Sequence, residues 1–446
     1  MSTAIATTEE RPRLTEEDAA LILTSGPDGQ ENGRDWYGQM RAEGWKAFQA
    51  APQPTRTDEA WRFATIKALD LGGYRRAEAV EEATAREIMQ RSAGGLETAG
   101  RMVFANDQLL SRTVNQVGIE AQGVIWKPLE QALAEHGELV SRHFMTQEVV
   151  LGSRKFAALH QANARAGTFL YVPRNTEIAL PLETFHWLSG RNASVFPHTL
   201  IIVGENSKVT VIDRFESADE EAGFACGVND LYLEAGAKLT YVNAQNWNAR
   251  TVALQINSTV VGRDARAINM ALNLGARYAR TESVSRLVGE GGRSDMLALS
   301  VAEGAQEFDQ RTLQDHRKRN TASDLLYKNS LNGEARTIFA GLIRVEPGAH
   351  HTDAYQKVRN LLLSDEAEAN SMPGLEILAD DVRCTHGATS GQLDEEELFY
   401  MLSRGIPPRE AKQLIVFGFL NEVIERLGNE AIGDELRELV RRKFAE

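Results

Sequence analysis

Residues 199–242 read TLIIVGENSKVTVIDRFESADEEAGFACGVNDLYLEAGAKLTYV. Short apolar and β-branched runs (Thr199–Val203, Lys208–Ile212, Asp230–Leu233, Lys238–Val242) alternate with Gly, Asn and acidic breaks. That is the rhythm of strands joined by tight turns. The texture begins near residue 165 and runs from Gly167 to about Arg383. Gly followed by Ala or Glu recurs at the joints, at Gly204, Gly236, Gly275, Gly304, Gly333 and Gly348, with gaps of 32, 39, 29, 29 and 15 residues. Over two hundred residues of strand without a helical crossover predict coils stacked into a β-solenoid. A β-sandwich of comparable length is the alternative.

Outward from this core the period changes. Residues 1–15 are polar and aperiodic, as a flexible tail would be. Thr15–Asp18 reads as a capping box before an apolar run from Ala19 to Leu23. Trp36, Tyr37, Met40 and Phe48 mark one helix face, and Leu129, Leu133, Leu139 and Val140 another. Thr57 would cap a helix carrying Trp61, Phe63 and Ile66. Arg101–Ala105 and Gly123–Trp126 read as short strands. After Gly391 helix returns as Leu393–Leu402 and Pro408–Leu427, broken at Ser403–Pro407, with Ile415, Phe419, Val423 and Leu427 at helical spacing. Asp434–Phe444 alternates acidic and basic charge, as an exposed final helix would. The expected division is a tail at 1–15, a mostly helical region at 16–150, a β core at 151–390 and a helical domain at 391–446.

Composition narrows the function. The 446 residues hold 49 Lys+Arg against 63 Asp+Glu, a formal charge of −14, which disfavours a phosphate backbone or an anionic membrane as partner. Apolar residues at 42% and charged residues at 25% suit a packed core. The first residues carry no hydrophobic stretch of the signal-peptide type. The longest apolar run, Leu414–Leu420, is far short of the ~20 residues of a membrane span. Two cysteines, Cys226 and Cys384, make neither a disulfide framework nor a four-thiolate metal site. The expectation is a reduced, cytoplasmic protein.

Chemistry concentrates at Cys384-Thr385-His386. On a strand, residues i and i+2 share a face, so thiol and imidazole become neighbours that could hold a soft metal or sulfur species. A buried structural Cys beside an unrelated His is the alternative, and two ligands would need a partner chain to complete a site. His350-His351 and Asp380-Asp381 are adjacent pairs that diverge on a strand, so neither reads as a metal or acid/base pair, and one Asp is expected to order a turn. Glu395–Glu397 suits the first turn of a helix. Cys226, in an apolar setting, reads as inert core. The remaining His136, His143, His160, His186, His198 and His316 are scattered, Gly289–Gly292 lacks the context of a phosphate loop, and no Walker A sequence occurs.

A long C-terminal signature carries a resemblance. It runs through Gln356–Leu363, Ser364–Glu368, Leu375–Thr389, Gly391–Glu396, Leu398–Tyr400 and Ser403–Ile406, with Arg336–Gly341 upstream. These segments resemble the SufB/SufD family of iron–sulfur cluster assembly proteins. A weaker likeness extends back through Phe196–Ile201, and Glu59–Phe63 resembles the Trp-Arg/Lys-Tyr element of the SufD branch. His386-Gly387-Ala388-Thr389 also looks like that branch, since SufB usually carries Glu where Gly387 stands. Asn370–Pro373 and Ser390 depart from the family's usual residues, in a turn or at a strand end.

The resemblance implies a right-handed parallel β-helix flanked by N- and C-terminal helical domains. It implies a non-catalytic scaffold subunit in a complex with one SufB-like paralogue, paired through the cores, and two copies of a SufC-like ABC-type ATPase, docked on the C-terminal helices. A nascent iron–sulfur cluster would form at the paralogue interface, with His386 as its candidate ligand and Cys384 as a second. No nucleotide would bind this chain. Reduced flavin would belong to the complex only, and a homodimer of the chain alone is left open. Two rivals stand beside this reading. One is a purely structural subunit without a ligand role. The other is a stand-alone β-helix carbohydrate-active enzyme using carboxylates such as Asp380, against which count the missing signal peptide and the absence of carboxylates clustered at i, i+2 spacing.

Overall fold

The computed structural model describes residues 36–115 and 118–445; the tail at 1–15 and the capping box at Thr15–Asp18 lie outside them. The core is a parallel β-solenoid of two sheets, of 11 and 10 strands. Each coil contributes one strand to each sheet. Cys226 pairs with Leu254, Leu254 with Arg280, Arg280 with Asp309, Asp309 with Ile338 and Ile338 with Asn370, so successive coils take 28, 26, 29, 29 and 32 residues.

The irregular glycine gaps have a simple cause. Gly204, Gly236 and Gly348 turn the chain at one corner of the coil, and Gly275, Gly304 and Gly333 at the other. At the first corner one position per coil is left-handed. It is filled by Asn206 (φ 55°), Gly236 (67°), Asp264 (54°), Gly291 (74°), Asn320 (59°), His351 (59°) and Asp381 (54°). Asn, Asp and His tolerate that conformation better than other side chains. Backbone bonds tie the corners together, as from Asp264 N–H to Glu290 O (2.9 Å) and from His351 N–H to Asp381 O (2.8 Å).

Seven α-helices flank the sheets among the described residues: α1 (Trp36–Ala50), α2 (Glu82–Arg91), α3 (Leu129–Ser141), α4 (Arg154–Asn163), α5 (Glu395–Ser403), α6 (Pro408–Glu425) and α7 (Glu430–Ala445). None is long and apolar enough to cross a membrane. Before the solenoid, strands Gly100–Ala105 and Gln108–Val114 form a hairpin that extends one sheet, and Ile125–Pro128 joins the other antiparallel. Both sheets therefore end in antiparallel strands on the N-terminal side. On the C-terminal side they end in Glu368–Ile377 and Arg383–Gln392, with no strand beyond among the described residues.

Two local expectations need correction. No helix follows Thr57. Instead, two 3₁₀ turns, Glu59–Trp61 and Ile66–Leu69, flank Phe63, whose φ is 69°. The indole of Trp61 is drawn into the core against Phe156 and Arg280, which breaks the helical path. The last helix is not merely exposed: Ile432, Leu436, Leu439 and Val440 of α7 pack with Val416, Leu420, Val423 and Ile424 of α6 onto Leu297, Leu299 and Leu326 of the sheet. Each such side chain contributes about 1.5–3 kcal/mol by burial. The buried stripe of α6 is offset from the sequence stripe, because Ile415 and Phe419 are only partly covered. Lys328 locks the pair in place by donating to Phe419 O and pairing with Glu422.

Candidate functional site at the open end of the solenoid

Strand parity decides where the C-terminal side chains point. In Asp353–Leu362 the buried residues are Ala354, Gln356, Val358 and Asn360, so even positions face the interior. The next strand is in register, pairing Cys384 with Ala354, His386 with Gln356 and Ala388 with Val358. Cys384 thus continues the inward column Ser294–Ser323–Ala354, and His386 continues Met296–Leu325–Gln356. Every earlier member of both columns is buried. With no further coil above it, His386 is exposed. The shared face expected of Cys384 and His386 is present.

Cys384 is half-buried against Ile343, Val345, Ala349 and Ala354. Burial, and then the charge of Asp353, push its thiol above the ordinary range, so it stays protonated in the isolated chain. A thiolate ligand here would need a cation to draw the proton off. Beneath His386, Gln356 donates to Gly341 O at 3.3 Å, while its own carbonyl oxygen has no partner. Gln314 Oε1 and Thr312 Oγ1 are likewise buried and unpartnered. Among the described residues no three His, Cys, Asp or Glu side chains stand close enough to hold a metal ion.

The rim of this end is unusual for an edge. From Cys384 to Gln392 the strand carries no carboxylate, lysine or arginine, and all but Cys384 are exposed. Edge strands normally carry charge, proline or a bulge to prevent pairing. The companion edge, Glu368–Ile377, carries Pro373, but leaves Leu375 and Ile377 more than a third exposed. Beyond the rim, Asp394 caps α5 by accepting from Glu396 N–H (2.8 Å) and Glu397 N–H (3.3 Å), so Glu395–Glu397 form the helix's first turn. Phe399 and Tyr400 of α5 stand 71% and 58% exposed, with Leu402 and Leu414 nearby in sequence and also exposed.

The other sequence candidates are structural. His351 Nδ1 meets Asp381 Oδ2 at 2.9 Å, and His350 Nδ1 lies 2.9 Å from Asp380 O, so both pairs bind one coil corner to the next rather than forming a dyad. Cys226 is fully buried and inert, its thiol raised by desolvation. Two of the scattered histidines do meet: His160 Nε2 and His198 Nδ1 are 3.1 Å apart, with Asp230 Oδ2 3.6 Å from His198 Nε2. Desolvation drives both rings below the usual range, to about 4 for His160, and Asp230 up to about 7. This cluster was invisible in the sequence, where its members are 38 and 32 residues apart.

Residues 186–419 match the family model described as SUF system FeS cluster assembly, SufBD core domain, and residues 30–183 match the SufBD protein N-terminal region. The chain is 30% identical over 329 residues to the iron–sulfur cluster assembly protein SufD of Bacillus subtilis, covering 73% of this chain and 75% of that one. It is 27% identical over 426 residues to SufD of Escherichia coli, covering 92% and 96%.

Proposed function

Because this chain belongs to the SufBD family of iron–sulfur cluster assembly proteins, we propose that it acts as a non-catalytic scaffold subunit whose open end receives a SufB-like paralogue. The observation that carries this reading is the uncapped final coil. From Cys384 to Gln392 its edge strand carries no Asp, Glu, Lys or Arg and is exposed apart from Cys384, and the inward columns of the solenoid emerge there as Cys384 and His386. A second solenoid adding strands to this edge would complete the backbone pairing and enclose both side chains. The nascent cluster is the cargo of that junction. His386 and Cys384 would supply two of its ligands, and the paralogue the others. The exposed aromatic face of α5 is the proposed dock for a SufC-like ATPase, fixed to the core through α6 and Lys328.

The test is assembly with the SufB-like and SufC-like partners, followed by native mass spectrometry. Thr385→Lys with Thr389→Lys places two charges on the edge strand, opposite Tyr355 and Arg359 of the preceding coil. This pair should weaken core pairing at least about tenfold. Wild-type-like assembly by the double variant would remove the edge from the interface.

A further inference from the structure

Far from the open end, a cavity of about 350 Å³ lies over the outer face of the 10-stranded sheet. Its floor is strand Leu182–Leu188, which aligns Glu183, Phe185 and Trp187 at alternate positions, and Arg214 and Glu216 of the neighbouring strand. Arg91 at the end of α2 closes one side, and Glu435, Leu439, Arg442 and Lys443 of α7 close the other. The volume falls within the roughly 300–1,000 Å³ of small-molecule clefts. Two segments more than three hundred residues apart in sequence thus build one pocket.

Two of the cations there, Arg91 and Arg214, are held in place by their neighbours. The Arg91 guanidinium stacks 4.3 Å over the Trp187 ring while donating to Ser217 O (3.0 Å) and Ala218 O (3.2 Å). Arg214 lies 5.4 Å over Phe185, braced by Glu183 (2.6 Å) and Glu435 (3.0 Å). Four cationic side chains, Arg91, Arg214, Arg442 and Lys443, face three carboxyls, Glu183, Glu216 and Glu435. Desolvation pushes Glu216 up to about 7 although Asn246 donates to it at 3.1 Å, so that carboxyl carries only part of its charge near neutrality. Arg91 and Arg442 also pair at the surface with Glu87 (3.6 Å) and Glu438 (3.2 Å), so the excess of cations belongs to the cavity wall itself, where they outnumber the carboxyls by one over an aromatic floor.

We propose that this cavity binds a small organic anion carrying two or more negative charges, of the phosphate-ester or polycarboxylate class. The stacked guanidiniums would offer N–H groups to oxyanions, and α7 brings Arg442 and Lys443 to the rim. The role is separate from cluster scaffolding and survives whether or not the open end pairs with a paralogue.

Isothermal titration calorimetry of the full chain with pyrophosphate and, separately, with citrate tests it. At least one probe should bind with a dissociation constant below about 1 mM. Binding of pyrophosphate alone assigns the phosphate class, and binding of citrate alone the polycarboxylate class. Arg442→Gln with Lys443→Gln, both on the rim of α7, should weaken binding at least about tenfold, whereas the charge-matched Arg263→Gln with Arg277→Gln should change it less than about twofold. Failure of both probes to bind, or equal weakening by the two double variants, would overturn the proposal.

Discussion

The guanidinium of Arg280 lies 3.7 Å from the ring centre of Trp61, across 219 residues of chain. Arg280 also pairs with Glu282 (2.7 Å) and Asp309, and donates to Ala60 O and Leu151 O at 2.8 Å each. One buried side chain therefore fastens the segment around Trp61 to the middle of the solenoid. Each of its three nitrogens donates, and the aromatic face takes up its flat side.

Removing that clasp should be costly. Arg280→Met strips Glu282 and Asp309 of a buried cation, and about 3 kcal/mol of stability should go with it. Arg280→Lys should not restore it, because one ammonium cannot reach four partners. Denaturant titration followed by circular dichroism gives the loss, and limited proteolysis should open the chain near residues 51–66 first. A variant within about 0.5 kcal/mol of the parent would show that the packing around Trp61 holds without the charge network.

Acid sensitivity should trace in part to His186. Its ring is stacked between Phe104 and Phe215 with neither nitrogen partnered, and burial lowers its pKa to about 3. The folded state holds it neutral, while the unfolded chain protonates below about 6.5, so its contribution to stability falls as pH drops from there towards 3. His186→Phe should remove about 2 kcal/mol of that loss at pH 5. Asp107, Asp213 and Asp230, all raised by burial, act in the opposite sense, but they cancel in the difference between variant and parent. Parallel unfolding curves from pH 8 to 5 for the two proteins would contradict the assignment.

At the open end, stability and function should separate. His386 is exposed, so His386→Ala should alter stability by no more than about 0.5 kcal/mol. In the assembled complex the same change should lower the iron and sulfide retained after anaerobic loading. Cys384→Ala should show the smaller loss, since its thiol is held protonated until a cation displaces the proton. Full cluster retention by the double variant would favour a purely structural subunit.

Phe399→Ser with Tyr400→Ser removes two exposed aromatics, of which Tyr400 has a surface contact with Arg404 at 5.1 Å from the ring centre. The isolated chain should melt within about 2 °C of the parent, while affinity for the ATPase should fall at least about tenfold. Surface plasmon resonance on the immobilised ATPase reads this directly, and unchanged binding would move the dock elsewhere.

The sequence by itself favoured a solenoid over a β-sandwich of comparable length, because strand and turn alternate from Gly167 to about Arg383 without a helical crossover. It determined the shared face of Cys384 and His386 through the period-two geometry of a strand. It also determined the break between α5 and α6 at Ser403–Pro407, where glycine and proline stop a helix. Coil length stayed hidden, because glycines of two different corners were interleaved and Asn, Asp and His took the left-handed position at several turns. Only the tertiary structure decided that His386 is exposed while Gln356, its partner in register, is buried. Local pattern is the same for both residues. What differs is whether another coil follows, and that is settled by stacking, not by neighbours in the chain. The same reason governs the meeting of His160 with His198 and the placing of Arg91 and Arg442 around one cavity: how coils and flanking helices come together depends on how many residues each turn consumes, which no short stretch of sequence records.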